Sequence, residues 1–123
     1  MLEAYSLNVT AAANSNVPFN STSLTKGCTV TKPSPDTINL NKCGVYMVAV
    51  DCSAAASTTI QLYKDGVAQP QAQSTGTSPS FTTLVQVDHN NSCCACASPT
   101  TIQVKNTVAT TLNDVNIVVT KVV

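Results

Sequence analysis

The sequence predicts an all-β protein, an antiparallel double-sheet sandwich of the jelly-roll kind, and three observations predict it. Threonine, valine, serine, asparagine and alanine dominate, while helix formers are scarce, with one Glu and no Arg among 123 residues. Short segments alternate apolar and polar side chains with a period of two, the signature of half-buried strands. Turn residues (Gly, Pro, Asn, Asp) separate these segments at a spacing of about 8–12 residues, as in sandwiches. A chain of this length supports one core, so residues 1–123 are read as a single domain.

Residues 4–9 alternate weakly and form a first strand. Asn14-Ser15-Asn16 is a turn, followed by an extended piece at Val17-Pro18-Phe19. Gly27-Cys28-Thr29-Val30 is a short strand, ended by Lys32-Pro33-Ser34-Pro35, whose two prolines hold the backbone extended and unpaired. Three strands then follow, at Ile38 and Leu40, at 45–52 and at 58–63, with Gly44 opening the second and Lys64-Asp65-Gly66 closing the third. Their spacing reads as a hairpin meander. The polar run from Gly66 to Ser80 reads as a loop holding at most a poorly formed strand. Residues 81–87 return to strand composition. The stretch 89–100, HNNSCCACASPT, is a loop. Residues 101–108 alternate, with Ile102, Val104 and Val108 on the apolar side, and NIVVTKVV ends the chain as an apolar strand pinned in the core.

Two of these strands are apolar on both faces. In the first, Tyr46, Val48, Val50 and Cys52 oppose Val45, Met47 and Ala49; in the last, Ile117, Val119 and Val123 oppose Val118 and Val122. An antiparallel strand of this kind needs cover on both sides. The second sheet supplies one cover, and another copy of the chain is the simplest source of the other. Val45, Met47, Ala49, Val118 and Val122 are therefore the candidate interface residues.

The run Val-Pro-Phe, Lys-Gly-Cys-Thr-Val, Thr-Ile-Asn-Leu, Gly-Val-Tyr-Met-Val and Ile-Gln-Leu-Tyr-Lys-Asp-Gly resembles the tumour-necrosis-factor-like jelly rolls. In particular it resembles the branch holding the globular heads of complement's first component and the collagen-tip domains of bacterial spore surfaces. The resemblance runs from about Tyr5 to Val122, with Gly44-Val45-Tyr46 and Asp65-Gly66 its most specific points. It implies an inner sheet packed around a three-fold axis, and hence a homotrimer. Unlike many relatives, the chain has no collagen stalk, has few aromatics and carries a cysteine-rich loop.

Six lysines balance six carboxylates, giving a formal net charge of zero, and the lysines are scattered. Nucleic-acid binding needs a basic patch, so no nucleic-acid partner is expected. Low charge suits permanent assembly. No stretch approaches the ~18 apolar residues of a membrane span, and the amino terminus lacks a signal-peptide pattern, so synthesis in a cytoplasm is expected.

Six cysteines fall in two groups, Cys28, Cys43 and Cys52 around the central strands and Cys93, Cys94 and Cys96 in the loop after His89. The first three read as small apolar residues in or near the core, or Cys43 and Cys52 as a bridge. Neighbouring Cys93 and Cys94 cannot bridge each other without strain, and Cys94-Ala95-Cys96 is also too short. The loop thiols therefore stay free, reach another segment or chain, or join His89 as soft ligands for zinc, although C-C-x-C departs from the usual C-x₂₋₄-C spacing. No cofactor is otherwise expected. A Cys-His nucleophile in this loop would be the one catalytic constellation, and Asp88, adjacent to His89 on a strand end, is poorly directed to orient it. A non-enzymatic role is expected: a trimeric structural or attachment protein of a phage or prophage particle, as capsid decoration or fibre tip on a virion surface. The alternative is a head binding protein or sugar on a spore or cell surface.

Overall fold

The computed structural model describes residues 1–88 and 99–123. Its strands are β1 (Leu2–Ala11), β2 (Ser15–Asn16), β3 (Ser21–Thr25), β4 (Val30–Ser34), β5 (Thr37–Leu40), β6 (Gly44–Ala54), β7 (Thr58–Lys64), β8 (Val67–Gly76), β9 (Ser80–Val87), β10 (Thr100–Asn106) and β11 (Thr110–Lys121). They form two antiparallel sheets, one ordered β3-β1-β11-β6-β9 and one ordered β4-β5-β10-β7-β8, with β2 pairing β10 beyond the end of β5. This is the double-sheet jelly roll that the strand spacing predicts.

Connectivity differs from the meander. β5 and β7 lie in one sheet, and β6 lies in the other, between β11 and β9. Neither link flanking β6 carries the Asn-Gly or Asp-Gly pair that a two-residue hairpin favours, so nothing local holds β6 beside β5 or β7. Asn41 is instead tied across to Cys28 and Thr31, and Ala55 to Thr111. The one hairpin that the residues do encode is β7–β8, where Asp65 (φ 49°) and Gly66 (φ 81°) both take positive φ and Lys64 pairs Val67.

Three further segments depart from the sequence reading. The pairing predicted for residues 27–30 starts only at Val30, and β4 runs on through Pro33. A proline lacks a donor but is tolerated at a sheet edge, which is where β4 lies. The polar run after Gly66 is the ten-residue strand β8, also at an edge, where Ala72 is its one fully buried side chain. β3 is exposed at every residue, so it shows no alternation to be read.

The core lies between the sheets. Leu2, Ala4, Tyr46, Val48, Val50, Val115, Ile117 and Val119 face it from one side, and Ile38, Leu40, Ile60, Leu62, Ile102 and Val104 from the other. Val17 and Phe19 anchor the extended piece, with their N–H groups donating to Val104 and Pro35 carbonyls, both at 2.7 Å. Where Val108 was expected in the core, the buried group is Asn106. It accepts from the Thr58 hydroxyl and donates to the carbonyls of Val108 (2.5 Å) and Ala12 (3.4 Å), so its burial is compensated by hydrogen bonds. Val108 lies past the end of β10 and is exposed.

At the carboxy terminus, Ile117 and Val119 are buried as predicted, but the strand ends at Lys121 and Val123 is 78% exposed rather than in the core. The tail is held by backbone, since the Val122 N–H donates to the Val45 carbonyl at 2.8 Å. Gly44 makes this crossing possible. Its φ of 138° suits glycine, and a Cβ there would meet the Val123 carbonyl and Lys121 Cε, the latter at 2.7 Å.

Candidate assembly face

The inward residues of β1, β6, β9 and β11 fill the core, so their alternates form the outer face of the five-stranded sheet. Cross-strand register sorts that face into rows. One row is Thr120–Met47–Leu84; the next is Leu24–Glu3–Val118–Ala49–Thr82; a third is Ser21–Tyr5–Asn116–Asp51–Ser80. Val45 pairs Gln86 at the near end, and Leu7 pairs Asp114 at the far end. The face is thus apolar at its centre and toward the Gly44 end, and polar toward the opposite end.

Val45, Met47, Ala49 and Val118 are brought together here, each half-buried within the single chain, and Val122 lies just beyond the end of β11, exposed. Three further residues, which the sequence reading did not single out, add apolar surface to this face: Leu84 beside Met47, Leu24 across Glu3 from Val118, and Leu7 beyond the polar row. Leu84 (60% exposed), Leu7 (63%) and Leu24 (41%) are large apolar side chains open to solvent on this face. The alternation of residues 81–87 held the signal for Leu84, whose neighbours Thr83 and Val85 turn inward. Leu7 escaped because Asn8, at φ 51°, breaks the alternation of β1 and leaves both residues outside. Val45, Met47, Ala49, Val118 and Leu84 are contiguous, which makes this face the candidate interaction surface.

The outer face of the other sheet is different in chemistry. Gln103 donates to Thr37 at 2.9 Å, Gln61 to the Gln69 carbonyl at 3.3 Å, and the Thr59 and Thr75 hydroxyls lie 2.6 Å apart. Lys105 places its ammonium 4.6 Å from the centre of the Tyr63 ring. Along its margin Asp36 accepts from Asn16, Ser34 and Thr37. The Asn16 bond, more than the other two, holds the Asp36 carboxyl below its ordinary range, against the opposing effect of burial. These polar side chains find partners within the sheet, although Asn16 Oδ1 at the margin is buried with none among the described residues.

Of the cysteines, Cys52 is a free thiol buried in the core, so it does not bridge Cys43, which is disulfide-bonded. Burial, helped by the charge of Asp114, pushes the Cys52 thiol up to about 11, which leaves it protonated and unreactive at neutral pH. Cys28 is free and exposed rather than in the core. The zinc ligands considered above, His89, Cys93, Cys94 and Cys96, lie outside the described residues. Among the described residues no three His, Cys, Asp or Glu side chains gather in a metal-binding group.

Comparison with known proteins gives a fold. No family model and no curated protein matches the chain. Solved structures do. The globular domain of zebrafish complement 1qA superposes with a TM-score of 0.76 at 10% identity, covering 99% of this chain and 96% of that one. The PRD1 vertex protein P5 gives 0.69 at 15% identity over 99% and 96%. Murine APRIL gives 0.67 at 12% identity over 98% of each chain. The chain has the tumour-necrosis-factor-like jelly-roll fold.

Proposed function

We propose that the chain works by assembly, as a homotrimer joined through the outer face of its five-stranded sheet, and serves as a structural or attachment unit of a phage or prophage particle. One observation carries the reading: a central strand, β6, has its outward side chains Val45, Met47 and Ala49 in one apolar patch with Val118 and Leu84, on a face that the described residues leave uncovered. Covering such a patch is favourable by about 25 cal/mol per Å² of apolar area removed from water. Likeness to a vertex protein supports a place at the surface of a particle, where the unit decorates or tips a larger structure. Likeness to the complement 1qA globular domain and to APRIL supports a second reading, a trimeric head that binds a protein or sugar on a cell or spore surface.

The two readings share the assembly and differ in location. Proteomics of purified particles from the cells that carry the gene separates them. Stoichiometric recovery with the particle supports the first reading, and recovery with the cell or spore envelope supports the second. Aspartate at Met47 is expected to abolish assembly, because a carboxylate would have to be desolvated beside Leu84, Ala49 and Val118 for the face to be covered.

A further inference from the structure

The polar row Tyr5–Asn116–Asp51–Ser80 crosses four adjacent strands at one level of the outer face. None of its four side chains makes a hydrogen bond within the described chain, although Tyr5 and Asn116 are half-buried. On the opposite face, by contrast, Gln103, Gln61, Thr59 and Asp36 all find partners. Its donor and acceptor inventory is complementary: the Tyr5 hydroxyl, the Asn116 amide and the Ser80 hydroxyl donate, and the Asp51 carboxylate accepts.

We infer that this row is the specificity layer of the assembled protein, in which Asp51 of one copy accepts from Tyr5 and Asn116 of the next, so that each site is incomplete without the partner copy. The inference rests on the assembly proposed above and adds what fixes its register and number. The inference places the symmetry axis along the strands; rotation about such an axis preserves height, so each row then meets the same row of the neighbouring copies. The apolar rows, Met47–Leu84 and Val118–Ala49, then meet like rows and drive association without distinguishing two copies from three or one register from the next. A polar row that must pair, buried beside an apolar patch, penalises every arrangement that leaves Asp51 or Asn116 without a partner. A single polar position plays this part in coiled coils, fixing register and copy number at a cost in stability.

The test replaces the row with apolar residues, Asn116→Val with Asp51→Val, and reads native mass over a hundred-fold range of concentration. Both side chains point away from the core, and a thermal melt by circular dichroism verifies the fold. The double variant is expected to associate at least as tightly as the wild type but to spread over dimers, trimers and larger species. The single variant Asp51→Asn, which keeps a hydrogen-bonding group at the same place, is expected to stay uniformly trimeric. A double variant that forms trimers only would overturn the inference while leaving the assembly reading intact, and so would one that falls apart into monomers, since the row would then supply affinity rather than choice. If Asp51→Asn loses uniformity as fully as the double variant, pairing by hydrogen bonds is not what the row provides. A wild-type monomer at every concentration would instead remove the assembly reading itself, and the inference with it.

Discussion

The two outer faces of this sandwich are built from the same strand geometry and end with opposite chemistry. On the six-stranded sheet, glutamines, threonines, a lysine and a tyrosine bond to one another and leave the surface finished. On the five-stranded sheet, valines, leucines and a methionine stand open beside polar groups that find no partner among the described residues. A finished face is made for water. On the proposed assembly, the difference separates side chains that stabilise the monomer from side chains whose contribution appears only when the open face is covered.

The largest effect should come from removing residues 117–123. This segment is the end of β11, which pairs β1 on one side and β6 on the other, so its loss opens both neighbours at the centre of the five-stranded sheet and removes Ile117 and Val119 from the core. Two unpaired edges next to an apolar core should give insoluble protein. Soluble protein of native mass, measured by light scattering after size exclusion, would show that the segment is peripheral.

A matched pair of substitutions breaks or sharpens the comparison itself. Aspartate at Met47 should leave a folded monomer or an unfolded chain. Aspartate at Gln103, on the finished face, should leave native mass unchanged and cost about 1 kcal/mol in a denaturant titration, the loss of one partly buried hydrogen bond to Thr37. Equal effects on mass at the two positions would erase the distinction between the faces.

How much of this was legible in the residues depends on where each element sits. Strands with one side in the core announce themselves: β6, β7, β9, β10 and the last half of β11 follow the alternation within a residue or two of each end. Edge strands do not, because β3, β4 and β8 bury too few side chains to show a period, and β8 looks like a polar loop for that reason. The pairing of β6 with β11 and β9 was not encoded locally either. Partner choice is settled by burial across the whole core, and only Asp65-Gly66 carries a turn signal strong enough to predict its hairpin. The apolar outer face was legible through Val45, Met47, Ala49 and Val118, since an apolar face opposite another apolar face shows in one strand. Leu7 was hidden by the break at Asn8, and Leu24 by an edge strand.

Two smaller effects refine the account of the finished face. Asp36→Asn should reduce stability by about 1 kcal/mol at neutral pH, through weaker hydrogen bonds from Asn16, Ser34 and Thr37 discounted for solvent screening. Because the folded carboxyl titrates below its ordinary value of 3.8, this contribution is fully present above 3.8 and is lost as pH falls through the lower folded value. The gap between wild type and variant should therefore hold steady from pH 7 down to about pH 5 and close under stronger acid, as read by urea unfolding at each pH. Smaller still, Lys105→Ala should cost about 0.5–1 kcal/mol by removing the ammonium from the Tyr63 ring, with no change in native mass.

The central claim is that the open face of the five-stranded sheet is covered by other copies of the chain. The native mass of the purified protein, measured by native mass spectrometry from micromolar concentration upward, tests it most directly. The account predicts a single species at three times the 12.7 kDa mass of the chain. A stable, soluble monomer across that range, with Val45, Met47, Val118 and Leu84 left open to water, would contradict it.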